Sequence, residues 1–197
     1  MEINNFDGIE IDGRNVKNIV DAFKLFPELG LRSFRSRQIG RFDGDGNLIL
    51  DARGWYPLSP WLEAFHEIAE QVGASKMFEI GKSVPKNSPF PPGIDDIHSA
   101  MESVNVAYHL NHRKDGRVMF DLARGTFEDG IGHYACRPRP NGREIVMECE
   151  NPYPCDMDRG LLTTLARRFR PNAVFEHLHE NVCRKKGHSR CTYAVRW

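Results

Sequence analysis

A chain of 197 residues is long enough for one domain, or one and a half. A chain of that size buries about 70% of the surface its unfolded form exposes, so it needs no staple to hold a core. Hydrophobic residues make up 40% and charged ones 27%, which excludes a largely disordered chain; 27 basic side chains against 27 acidic ones argue against a dedicated nucleic-acid binder.

No apolar run approaches the ~18 residues of a membrane span, and the opening MEINNFDGIEIDGR is acidic with no signal-peptide core. The expectation is a cytoplasmic protein with neither a membrane nor a nucleic acid as partner. Along the chain, Val16, Ile19, Val20 and Phe23 follow the i, i+3, i+4, i+7 spacing of a helix, behind Asn15 as N-cap and ahead of Pro27 as stop. Asp43-Gly44-Asp45-Gly46-Asn47 separates Ile39–Phe42 from Leu48–Asp51 and predicts a hairpin. A calcium loop is excluded there, because its sixth position is Leu48 and its twelfth is Gly54. Residues 1–60 thus read as a helix-and-hairpin extension ahead of a core over 61–197.

The core opens on Trp61, Leu62, Phe65, Ile68, Ala69 and Val72, a helical stripe behind Ser59 and Pro60 that stops at Gly73. After the proline-rich stretch Pro85–Pro92, Ile94, Ile97, Met101, Val104 and Tyr108 share a third helical face. That helix leads into Tyr108-His109-Leu110-Asn111-His112-Arg113, where His109 and His112 stand i, i+3. Tyr108, His109 and His112 read either as the polar rim of a ligand cavity or as an ordinary helix end whose imidazoles satisfy carbonyls. Next, Pro140-Asn141-Gly142 divides Tyr134–Arg139 from Arg143–Glu150 as a second hairpin. Met157, Leu161, Leu165 and Phe169 form a fourth stripe behind Asp156 as cap. Strands are expected over Ala173–Leu178, with His177 and His179 on one face, and over Cys191–Trp197, with Cys191, Tyr193, Val195 and Trp197 on one face. The predicted class is α+β, an antiparallel sheet with helices packed on it.

Several chemistries fall away. Gly81-Lys82-Ser83 lacks the upstream phosphate-loop glycine, since that position holds Lys76; His66-Glu67 is followed by Glu70, not by the second histidine of a zincin. Neither a dinucleotide fingerprint nor a nucleophile elbow is present.

Five cysteines, an odd number, cannot all pair. Cys136 and Cys149 read as small buried hydrophobes. Cys183 and Cys191 flank a turn containing Gly187 and the cations Arg184, Lys185, Lys186 and Arg190, which favour the thiolate form. Glu180 precedes Cys183 by three residues, and Cys155 follows the rigid Asn-Pro-Tyr-Pro. Three thiolates and one carboxylate make the four ligands of a closed tetrahedral zinc site.

The pattern Glu-x-x-Cys-x3-Gly-His-x-x-Cys, followed by an aromatic strand, resembles the C-terminal end of the 4-vinyl reductase domain. That domain also serves as the sensory part of bacterial aromatic-responsive transcription activators. The resemblance covers about residues 134–197. It implies a structural zinc held by Cys155, Glu180, Cys183 and Cys191 and a zinc-stabilised C-terminal hairpin. It further implies a non-catalytic domain that binds a small hydrophobic or aromatic molecule and signals to another protein; self-association through sheet or helix faces as a homodimer is expected under every reading. The alternatives are a reductase acting on a tetrapyrrole, or an interaction module like the related tethering-complex subunits.

Overall fold

The computed structural model describes residues 6–22, 27–87, 93–140 and 142–197. In chain order the elements are β1 (Ile9–Asp12), α1 (Gly13–Ala22), α2 (Pro27–Ser36), β2 (Arg41–Phe42), β3 (Leu48–Ile49), β4 (Trp55–Pro57), α3 (Leu58–Asn87) and α4 (Ile97–Leu110). They continue with β5 (His112–Lys114), β6 (Arg117–Val118), β7 (Phe120–Asp121), β8 (Thr126–Phe127), β9 (His133–Pro138), β10 (Glu144–Glu150), α5 (Cys155–Phe169), β11 (Val174–Leu178) and β12 (Cys191–Arg196). The class is α+β with antiparallel sheets, as expected.

Two compact units divide the chain: residues 2–74 with 109–130, and residues 75–108 with 131–197. Within the first, β4-β1-β5-β6 form a four-stranded sheet, and β2–β3 and β7–β8 are short hairpins. Ile9 and Ile11 point into the core, while Glu10 on the other face grips Arg113 directly across the β1–β5 ladder at 2.5 and 3.0 Å. The core of this unit is aromatic: Trp61 stacks on Phe34 (centroids 5.9 Å) and Phe65 (5.6 Å), all three buried. The hairpin expected around Asp43–Asn47 is present, its turn held by Asp43 Oδ1 accepting the backbone N–H groups of Asp45 and Asn47.

In the second unit the sheet order is β11-β12-β10-β9. The predicted Tyr134–Glu150 hairpin is β9–β10; its turn residue Asn141 lies outside the described residues. The final strand is central in that sheet, and Trp197 N–H still donates to Arg143 O beyond it. Under the sheet-covering helix α5, the second half of α3 approaches unusually closely. A Cβ on Gly81 would sit 2.0 Å from Met157 O, and one on Gly160 would sit 2.0 Å from Phe78 O. Only hydrogen fits at either position.

The helix expectations need three corrections. α1 starts at Gly13 instead of after Asn15, because the Asp12 carboxylate accepts the Arg14 N–H at 2.9 Å and takes the capping role. Phe23, the last residue of that stripe, lies outside the described residues, as do residues 88–92 of the proline-rich stretch. Gly73, at φ 78° and ψ 172°, ends the first helical segment of α3 as expected, and a second segment follows it. On α5 the buried face runs through Asp158, Leu162, Leu165 and Ala166 as well as Met157, while Leu161 and Phe169 are only half-buried. An unbroken i, i+4 ladder drifts around a helix of about 3.6 residues per turn, which is why the predicted stripe was too straight. Pro154, not Asp156, precedes the first turn of α5.

Candidate functional site

The most concentrated chemistry lies where the β11–β12 turn meets the start of α5, within the unit of residues 75–108 and 131–197. Cys183 begins a single 3-10 turn, Arg184–Lys186, which Gly187 ends in the left-handed region at φ 83°, as its position in a tight reversal requires. That reversal returns the chain to Cys191 at the head of β12. Cys155 enters from the first turn of α5. The Cys183 sulfur lies 3.7 Å from Cys155 Sγ and 3.5 Å from Cys191 Sγ, and the three sulfurs all fall within 4.8 Å of one another. All three are buried.

The surroundings divide the three thiols. Cys191 Sγ accepts the Arg184 N–H at 3.3 Å. Hydrogen bonding from the Cys155 thiol, then from Arg184, holds Cys191 well below the ordinary thiol range despite its burial. Cys155, donating in that same pair and buried beside other sulfurs, is pushed up. Cys149 faces Cys191 directly across the β10–β12 ladder but stands outside the group of three; burial keeps it protonated. Cys136, on β9, is pushed up to about 12, chiefly by burial.

Glu180 does not join this group. It is exposed, and the described structure gathers three donors where the sequence pattern suggested four.

Next to the sulfurs is a buried polar network that sequence reasoning missed. Asp158 is fully buried and accepts from Tyr134 Oη at 2.5 Å, from Asn151 Nδ2 at 3.1 Å and from the Arg184 guanidinium. Arg184 also donates to the backbone and side-chain oxygens of Asn151, whose Oδ1 takes the Tyr153 N–H at 2.9 Å. Tyr108 packs edge-on to Tyr134 and Tyr153 and donates to Ile131 O at 2.7 Å. Burial raises Asp158, with Arg184 and the hydrogen bonds pulling the other way; Arg184 itself is held charged by Asp158 against its own desolvation. Lys185 adds an ion pair to Asp156. The turn is therefore fastened to α5 by sulfur contact and by two ion pairs. In sequence, Arg184 reads as one of four cations that favour the thiolate form, and nothing marks Asp158 as its partner.

The expected ligand rim is not one helical face. Tyr108 is the last residue of its unit's stretch of α4, buried with its hydroxyl satisfied. His109 and His112 belong to the other unit, where both are buried. α4 ends at Leu110, and His112 is already in β5, paired with Ile11 of β1. The i, i+3 relation fails because the chain changes from helix to strand between them. His109 rests against Phe127 at 4.8 Å. His177 lies over Tyr193 at 4.8 Å, with its Nε2 buried and without a partner among the described residues, whereas His179 is exposed at φ 57°.

No family model and no curated protein matches the sequence. The structure does have matches. An H-NOX protein from S. oneidensis, solved in the Fe(II)NO ligation state, is 15% identical; the match covers 94% of this chain and 98% of that one, with TM-score 0.59. A variant of the T. tengcongensis H-NOX protein is 15% identical over 94% of this chain and 97% of its own, with TM-score 0.61. A structure solved to probe haem distortion in the H-NOX family gives 15%, 95%, 95% and 0.61. The chain has the H-NOX fold. This corrects two expectations. The resemblance to the 4-vinyl reductase domain rested on a motif covering about a third of the sequence, and a fold match along nearly the whole chain overrides it. The structural zinc goes with it, because the matched H-NOX structures were solved as iron and haem proteins. Among the described residues no helix is long and apolar enough to cross a membrane.

Proposed function

We propose that this chain is a non-catalytic sensory domain that binds a small ligand through a haem and passes its state to another protein. The observation that carries the reading is the fold match, which runs through 94% of this chain and nearly all of an H-NOX protein solved with iron and nitric oxide.

The chain's own donors support it. A haem needs an axial donor with a free lone pair that a planar group can reach. The thiols of the sulfur cluster converge on one another, Cys149 is held protonated, and His177 Nε2 is sealed inside packed side chains. His98 differs from all of these. It stands in the first turn of α4, half-buried and edge-on to Trp197 at 5.4 Å, and its imidazole makes no side-chain hydrogen bond among the described residues. His98 would hold the iron, with Trp197 fixing the ring's orientation. When bound, the group supplies an open iron position for a diatomic ligand. Arg184 is unavailable to a haem carboxylate, being spent on Asp158 and Asn151.

The test is the absorption spectrum of haem-reconstituted protein against that of His98→Ala. The reading expects the variant to lose the wild-type Soret position and to recover it with added imidazole. Identical spectra for the two proteins would contradict the assignment of His98.

A further inference from the structure

We propose that the end of the β11-β12-β10-β9 sheet beside the C-terminus of α5 is a docking surface for an acidic polypeptide segment. It gives a place and a chemistry to the partner protein of the proposed function, and it rests on that reading only in supposing such a partner.

The zero net charge of the chain hides an uneven division. Residues 75–108 with 131–197 carry 15 basic and 11 acidic side chains, whereas residues 2–74 with 109–130 carry 12 and 16. Strand register gathers basic residues at one end of the second unit's sheet. Val174 opposes Arg196, Arg196 opposes Glu144, Arg139 N–H donates to Glu144 O, and Trp197 N–H donates to Arg143 O. α5 arrives at the same end. Ala173 N–H donates to Arg170 O at 2.8 Å, and Arg167 Nε donates to Ala173 O at 3.2 Å, one residue before Val174. Arg139, Arg143, Arg167, Arg168, Arg170 and Arg196 therefore share that end, and all but Arg196 are exposed.

Glu144 and Glu176 stand among them and are already paired, Glu144 with Arg139 and Arg196, Glu176 with Arg196. Arg167 and Arg170 differ. Their side chains meet the backbone oxygens of Ala173 and Phe169, and no carboxylate pairs with either among the described residues. Cations suit the negative end of a helix, but each of these contacts uses one of a guanidinium's five donors. The others are available to an oxyanion, which the planar arginine fork grips through two hydrogen bonds.

Two features favour a polypeptide over a bare polyanion. Val174, 61% exposed, is an apolar residue among the arginines, and Phe169 is half-buried between Arg168 and Arg170 in the chain. Glu144 and Glu176 also interrupt the positive field. They repel the closely spaced phosphates of a nucleic acid but leave room for carboxylates set apart along a peptide. An acidic segment with intervening apolar residues matches both features.

The test is calorimetric titration of the full chain, without added haem, with a synthetic peptide repeating Glu-Asp-Leu. The comparison probes are the same peptide with Gln-Asn for Glu-Asp, and a duplex oligonucleotide. The acidic peptide is expected to bind, more weakly as salt is raised, and its amide version not to bind. Arg167→Glu with Arg170→Glu should weaken the acidic peptide at least about tenfold, and Arg167→Lys with Arg170→Lys should keep most of the binding. Val174→Ser should weaken the peptide by roughly threefold without affecting the oligonucleotide. Arg190→Glu reverses a charge just before β12 begins, at the opposite end of the sheet, and should change nothing. If the glutamate pair lowers the unfolding midpoint, the lysine pair and Val174→Ser carry the test. Absence of peptide binding would overturn the proposal, as would an equal loss with Arg190→Glu or tighter binding of the oligonucleotide. So would a dimer of the chain that the glutamate pair dissolves. The haem spectrum is read separately, so failure here and failure of the sensory reading are distinguishable.

Discussion

The two units solve the problem of a core in opposite ways. Residues 2–74 with 109–130 bury an aromatic stack, Phe34–Trp61–Phe65, so apolar that Trp61 Nε1 has no hydrogen-bond partner among the described residues. Residues 75–108 with 131–197 bury an ion pair, four tyrosines and a sulfur cluster. An aromatic stack tolerates small shifts, because dispersion has no strict direction. A buried carboxylate does not, because each lost hydrogen bond leaves a charge uncompensated in a low dielectric. The second unit therefore fixes one arrangement of turn, helix and sheet, and the first does not need to.

The sharpest way to break this contrast is Asp158→Asn, which strands Arg184 in the interior. A loss of about 3–5 kcal/mol is expected in denaturant unfolding. Gly160→Ala comes next, because the new methyl meets Phe78 O at 2.0 Å and must separate two helices. About 1–3 kcal/mol is expected, read as a lowered midpoint at unchanged m-value. Tyr134→Phe removes one of three donors to Asp158 and should cost about 1–2 kcal/mol. In the other unit, Glu67→Gln touches only the partly exposed Ser33–Glu67–Arg37 group. It should cost less than about 1 kcal/mol.

Alkali should separate the units in the same way. Tyr108, Tyr134, Cys136 and Cys149, all in the second unit, have raised proton affinities, Cys136 to about 12. In the unfolded chain thiols ionise near pH ~8.5 and tyrosines near ~10. The folded state then holds more protons than the unfolded one, so stability is fully present below pH ~8.5 and falls as pH rises through the folded values. Hydrogen exchange above pH ~9 should show amides of β9 and β10 losing protection before those of β1 and β5; the reverse order would contradict the contrast.

How much of this could be read from sequence depended on the range of the signal. The Asp43–Asn47 turn, the β9–β10 hairpin, the final strand and the meeting of Cys183 with Cys191 were legible, because turn chemistry and spacing are local; Cys155, 28 residues from Cys183, was set beside them by the ligand count and the family resemblance instead. β1, β4 and α2 were not read, and β5 was taken for the end of a helix. Ile9 and Ile11 make too short an alternation to stand out, and His112 is in a strand only because β1 lies beside it. Asp158–Arg184 joins residues 26 apart, and each end has a bland local explanation. The zinc expectation shows the converse error. A ligand-like spacing predicted correctly that the sulfurs meet, but not Glu180, and it said nothing about the fold of the remaining chain.

The central claim, a haem-dependent sensory domain on the H-NOX fold, is tested most directly by titrating haem into the purified chain and following the Soret band. The account predicts a band distinct from that of free haem, saturating at one equivalent and shifting again when nitric oxide is added. A spectrum that stays the sum of protein and free haem at every ratio would contradict it.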